Sequence, residues 1–94
     1  MNTRELLVIA HERGGFRSWR AMGRALGLTV NSLLRIRRGH GLPSDETCAE
    51  LAALAGVDPY TALLQLNIER TEGRARRVYE KALRDQTTTS IAAE

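Results

Sequence analysis

Thr29-Val-Asn-Ser-Leu-Leu-Arg-Ile-Arg-Arg38, entered through Ala25-Leu-Gly-Leu28 and left through Gly39, is the segment from which the architecture follows. Thr29 is a capping residue and Gly39 a stop, so a short helix over 29–38 is expected. Leu33 and Ile36, three apart, share its inner side, while Asn31, Ser32 and two arginines fall on the outer side. Before it, Ser18 caps a second short helix, Trp19 to Leu26, whose inner side is expected to carry Ala21, Met22, Ala25 and Leu26. Gly27 suits the left-handed position that ends a helix in a sharp bend. Two short helices joined by a tight glycine turn, the second cationic and amide-bearing, have a shape that enters the DNA major groove.

Outward from this pair, the spacing predicts helices on both sides. Thr3 to Arg13 forms the first, capped by Asn2 or Thr3, with Leu6, Leu7 and Ala10 as its stripe and Gly14-Gly15 as its stop. After the loop His40-Gly-Leu-Pro43, Ser44 caps a fourth helix. Asp45 and Glu46 in its first turn complement the helix dipole, and Thr47, Leu51, Leu54 and Ala55 form its apolar side. Asp58-Pro59, a cap followed by proline at the first position, starts a fifth helix with Tyr60, Leu63, Leu64 and Ile68 at helical spacing. Glu72-Gly73 interrupts the chain, and Arg74 to Asp85 makes a sixth helix with Ala75, Val78, Tyr79, Ala82 and Leu83 on one side. The expected fold class is all-α, with five to six helices. Residues 1–72 form a helix–turn–helix domain, residues 73–86 a helix for packing or dimerisation, and residues 87–94 a flexible tail.

Ninety-four residues support one domain. Only four residues are aromatic (Phe16, Trp19, Tyr60 and Tyr79), so leucine and alanine must fill the core. The single cysteine, Cys48, excludes an internal disulfide and any cysteine-based metal site; among Thr47, Ala49 and Leu51 it reads as a small core filler. His11 and His40 are far apart with no partner in spacing, so no metal and no cofactor are expected. No apolar run approaches the roughly 18 residues of a membrane span, and the first residues lack the apolar stretch of a signal peptide. A cytoplasmic, nucleoid-associated protein is expected. Charge is unevenly spread: residues 1–44 carry eight arginines against Glu5 and Glu12, a balance of +6, and residues 45–94 carry six basic and nine acidic residues, a balance of −3. A basic half that also holds the helix–turn–helix is the footprint of a polyanion binder.

The run Ala25-Leu26-Gly27-Leu28-Thr29, then Leu33, Ile36 and Arg38-Gly39, then Leu42-Pro43-Ser44, Leu51-Ala52-Ala53-Leu54 and Gly56-Val57-Asp58-Pro59 resembles the Cro and lambda-repressor type of helix–turn–helix protein in order and spacing. The likeness covers roughly residues 18–68. More loosely, the added sixth helix and the length resemble small regulators of phage and prophage origin. The resemblance implies that helix 29–38 is the recognition helix, with Val30, Asn31, Leu34 and Arg35 facing base edges. It implies phosphate contacts from Ser18, Trp19, Arg24, Thr29 and Arg38, and from His40 in the following loop. It also implies a two-fold dimer reading a palindromic operator on double-stranded DNA, with half-sites about one helical turn apart. Two positions depart from the pattern: Val30 stands where glutamine is common and offers only apolar contact, and Gly23 stands where a small alanine is usual.

The residue chemistry suits that role. Arg35 offers two donors to O6 and N7 of a guanine, and Asn31 can pair with N6 and N7 of an adenine. Arg20, Arg24, Arg37 and Arg38, with the helix N-terminal amides, would hold the backbone on either side. Other roles remain open for several of these. Arg20 and Arg37 also fit as solvated surface charges, Trp19 could instead pack over the first helix with Phe16, and Leu34 could be partly buried. Leu66 falls off the main stripe of the fifth helix, so with Val78, Tyr79 and Leu83 it is a candidate dimer surface. The competing function is a protein-interaction module on the same scaffold, such as an antitoxin or an inhibitor of a host factor, for which Val30 and Leu34 speak. No catalytic constellation, phosphate loop or small-molecule pocket is apparent, so neither an enzyme nor a ligand-regulated protein is expected.

Overall fold

Asn2, Ser18, Thr29, Ser44 and Asp58 each accept a hydrogen bond from an amide in the first turn that follows, and so fix where five helices begin. In the computed structural model, which describes the backbone of residues 1–93 and the side chains of residues 1–86, these are α1 (Thr3–Arg13), α2 (Trp19–Leu26), α3 (Val30–Arg37), α4 (Asp45–Ala55) and α5 (Pro59–Arg70). A sixth, α6 (Gly73–Ala93), completes an all-helical fold with no strand among the described residues. No helix among those residues is long and apolar enough to cross a membrane. The backbone of α6 runs helical past Asp85, where the sequence shows no period. Apart from that backbone course, the expected flexible tail, residues 87–94, lies outside the described residues.

The core gathers Leu6, Leu7 and Ala10 from α1, Met22 from α2, Leu33 and Ile36 from α3, Cys48, Leu51, Ala52 and Ala55 from α4, and Ala62 and Leu66 from α5. Leu7, Met22, Leu33, Leu51 and Leu66 are fully enclosed. Cys48 is enclosed too, its thiol donating to the Ala62 carbonyl. Burial, then the nearby Asp45 and Glu69 carboxylates, push that thiol's pKa up, so it is neutral and inert as expected of a core filler.

Three expectations about helix faces are corrected. On α2 the inward positions are Trp19, Met22, Gly23 and Leu26, whereas Ala25 is exposed. Gly23 is inward because the chain returns over it. With Gly27 in the left-handed region (φ 71°), the Leu28 amide donates to the Gly23 carbonyl at 2.7 Å, closing the helix in a sharp bend. A Cβ on Gly23 would lie 2.6 Å from the Leu28 carbonyl oxygen. Gly23→Ala gains about 1 kcal/mol of helix propensity but forces that bend apart. We expect a net loss of about 1 kcal/mol, read as a Tm lower by about 4–8 °C in a thermal melt; an unchanged or higher Tm would refute the close approach.

On α5 the error was to assume one inner face. Ala62 and Leu66 join the central core, whereas Leu64 and Ile68, roughly opposite by helical angle, are buried outside it. The helix packs against α4 and α1 and also against α6, so it is covered on two sides. Leu66 is therefore core (0 % exposed) and not part of any dimer surface, while Tyr60, expected on the inner stripe, is 55 % exposed. On α6, Tyr79, Ala82, Leu83 and Gln86 are half-buried, but Ala75 and Val78 are open to solvent.

Polar clasps fix the outer helices. Glu69 accepts from both the amide and the hydroxyl of Thr3 (3.0 and 2.6 Å) and from Gln65, tying the end of α5 to the start of α1. Thr61 donates to Gln86 at 2.8 Å, and the Gln86 amide donates to Asp58 at 2.7 Å, pinning α6 back along α5. The Arg70 guanidinium grips the Asp45 carboxylate (2.9 Å) and the Pro43 carbonyl (3.1 Å), fastening the end of α5 to the loop between α3 and α4.

Candidate nucleic-acid interface

Leu33 and Ile36 are the two fully inward side chains of α3, which leaves the opposite side of the helix as surface. Its start is set by Thr29, whose Oγ1 accepts from the Ser32 amide at 3.1 Å and lies 2.9 Å from the Ser32 hydroxyl. Its end is set by Gly39 (φ 79°), beyond which the His40 amide donates to the Arg35 carbonyl at 2.8 Å. The backbone that carries Arg35 is thus locked from both directions, which is what a side chain aimed at a fixed base edge requires.

Asn31 and Arg35, one turn apart, are both exposed on the side opposite Leu33 and Ile36, and Arg38 follows on the same side. Leu34 lies between them and Val30 beside them, each half-buried. Of the four base-reading candidates, Asn31 and Arg35 thus share the outward sector, and Val30 and Leu34 flank it on the side toward Leu33. Arg20 and Arg24 are exposed on α2, and Ser18, Thr29 and His40 are exposed at the helix ends. Ser18 uses its oxygen as acceptor for the Ala21 amide (3.1 Å), which leaves its O–H free to donate.

Two basic side chains of the first half, Arg13 and Arg37, have intramolecular work that charge counting could not show, and a third, Arg4, lies near a turn. Arg13 donates to the Ala55 carbonyl and so closes the end of α4. Arg37 lies on the flank of α3, its guanidinium carbon 5.1 Å from the centre of the Trp19 ring. Arg4 on α1 comes close to Gly39, where a Cβ would meet its Nη1 at 3.5 Å. Trp19 stacks on His11 of α1 with ring centres 4.0 Å apart and planes at 23°, and it packs with Phe16 against the core. The packing role weighed for Trp19 is thus the one its surroundings display.

Ser32 and Leu42 were absent from the candidate site. Both line an open groove with Arg35, Ile36, Pro43 and Ser44, between α3 and the loop that leads to α4. The position of Ser32, three after the Thr29 cap, was the available signal for it. Leu42 gave none, because its exposure (43 %) depends on the path of the loop. No family model, curated protein or solved structure matches the chain.

Proposed function

We propose that the protein is a sequence-specific DNA-binding transcriptional regulator, a homodimeric repressor of phage or prophage type that reads the major groove with residues 29–38. The observation that carries the reading is the joint exposure of Asn31 and Arg35 on the outward side of a short, doubly capped helix, with Arg20, Arg24 and Arg38 open around them. Asn31 and Arg35 supply the amide and the guanidinium fork that distinguish adenine and guanine in the major groove. The surrounding cations and hydroxyls match the phosphate rails beside it. The exposed large apolar side chains Met1, Leu42, Tyr60 and Val78 stand at the N-terminus, in the α3–α4 loop, on α5 and on α6, which gives a docking protein less to grip. With Leu66 in the core, α6 is left to supply the dimer contact, through Val78 and the half-buried Tyr79 and Leu83.

The test is a gel-shift titration on DNA from upstream of the protein's own gene, at several salt concentrations, against a scrambled duplex. Selective binding is expected. If the helix–turn–helix segment neutralises about five phosphates per subunit, log K should fall with log salt at a slope of about −4 to −5 per subunit. Weak binding indifferent to sequence would overturn the reading in favour of a protein-interaction module.

A further inference from the structure

The acidic balance of the second half conceals a local reversal. Arg70, Arg74, Arg76 and Arg77 cluster where α5 turns into α6, with Glu72 the one acid from 70 to 79. Arg70 is occupied by Asp45 and Pro43, but Arg74, Arg76 and Arg77 are exposed and, among the described residues, have no ion pair. Folding does not account for them. The first turn of α6 contains no acid, so these cations sit at the positive end of the helix dipole, an arrangement that disfavours a helix, and the neighbouring Glu72 and Glu80 form no ion pair with them. By contrast α1 and α4 begin with Glu5 and with Asp45 and Glu46.

Their location supplies a reason. The groove beside Arg35 is walled on its far side by Pro43 and Ser44, and Arg70 clamps the end of α5 onto that same wall through the Pro43 carbonyl and Asp45. Three residues after Arg70, α6 begins. Arg74 and Arg77 lie on the side of α6 away from its half-buried Tyr79, Ala82, Leu83 and Gln86, with the half-buried Glu80 between the two sides. A helix seated in the major groove nearly fills its ~12 Å width, so a phosphate rail runs along each flank. One flank of α3 meets α2 with Arg20 and Arg24. The other meets the α3–α4 loop, to which Arg70 fastens the end of α5 three residues before α6 begins.

We infer that Arg74 and Arg77 form a second phosphate-binding surface, which grips the DNA backbone beyond the α3–α4 loop. The inference rests on the proposed DNA reading and extends it to a surface outside the helix–turn–helix. The double variant R74Q/R77Q is compared with K81Q/R84Q, which removes the same charge from further along the exposed side of α6. Binding of each full-length variant to the operator and to a scrambled duplex is titrated at about 50 to 200 mM salt, with thermal melts to confirm folding. R74Q/R77Q should flatten the salt slope by about 2 per subunit on both duplexes, so that the affinity lost across that range shrinks about tenfold per subunit and about a hundredfold for a two-fold dimer, while K81Q/R84Q leaves the slope as in wild type. Equal slopes for the two variants would overturn the inference, because net charge alone would then explain the effect. Failure of the regulator reading looks different: operator and scrambled duplex would bind alike, whatever α6 does. A wild type that binds neither duplex would overturn both.

Discussion

Leu66→Ala is expected to lower the unfolding free energy by about 2–5 kcal/mol, because it empties a fully enclosed leucine site shared with α1 and α4. Against a total stability of about 5–15 kcal/mol for a domain this size, the change brings the protein close to unfolding at room temperature. The Tm should drop by roughly 10 °C or more. Urea melts at two protein concentrations separate this from a role in subunit contact. Loss of core packing gives the same deficit at both concentrations. A deficit that vanishes at the higher concentration would put Leu66 back at an interface.

Arg35→Ala should leave the fold intact, since the side chain is exposed and only its backbone carbonyl serves the end of α3. On the proposed DNA-reading function its effect falls on recognition. Losing a bidentate guanine contact costs about 1–3 kcal/mol per half-site, hence about 2–6 kcal/mol in a two-fold dimer, which is at least about 30-fold in operator affinity. Affinity for scrambled DNA should change by much less. Arg38→Ala is the contrasting case, weakening both duplexes alike as a phosphate contact does. Isothermal titration of each variant with each duplex checks both; equal loss for Arg35→Ala on the two would remove it from base reading.

The helix boundaries were legible because each is written locally. A cap side chain and the amide it serves lie within three residues of each other, as at Ser18 with Ala21 or Ser44 with Thr47. The outward placement of Asn31 and Arg35 followed from two apolar residues on an eight-residue helix. What sequence could not show was set by partners distant in the chain. On the inward face of α2 Met22 and Leu26 were legible, but Gly23 was not, because a glycine does not announce burial and is inward here only because the Leu28 carbonyl lies over it. A stripe reading assumes one buried face, so α5, covered on two, misplaced Leu66 and Tyr60. Counting charges likewise treated Arg13 and Arg37 as free, because nothing in their neighbourhood names the Ala55 carbonyl or the Trp19 ring as their partners.

The clasp of Glu69 on Thr3 has a consequence for the order of events during synthesis. The two groups are 66 positions apart, so the first helix made waits for the fifth before its leading amide and hydroxyl find their acceptor. Leu66, three residues before Glu69, enters the core in the same closing step. A ribosomal product that stops short of this point has the α3 sequence but lacks the Leu66 and Glu69 contacts that complete the packing around it.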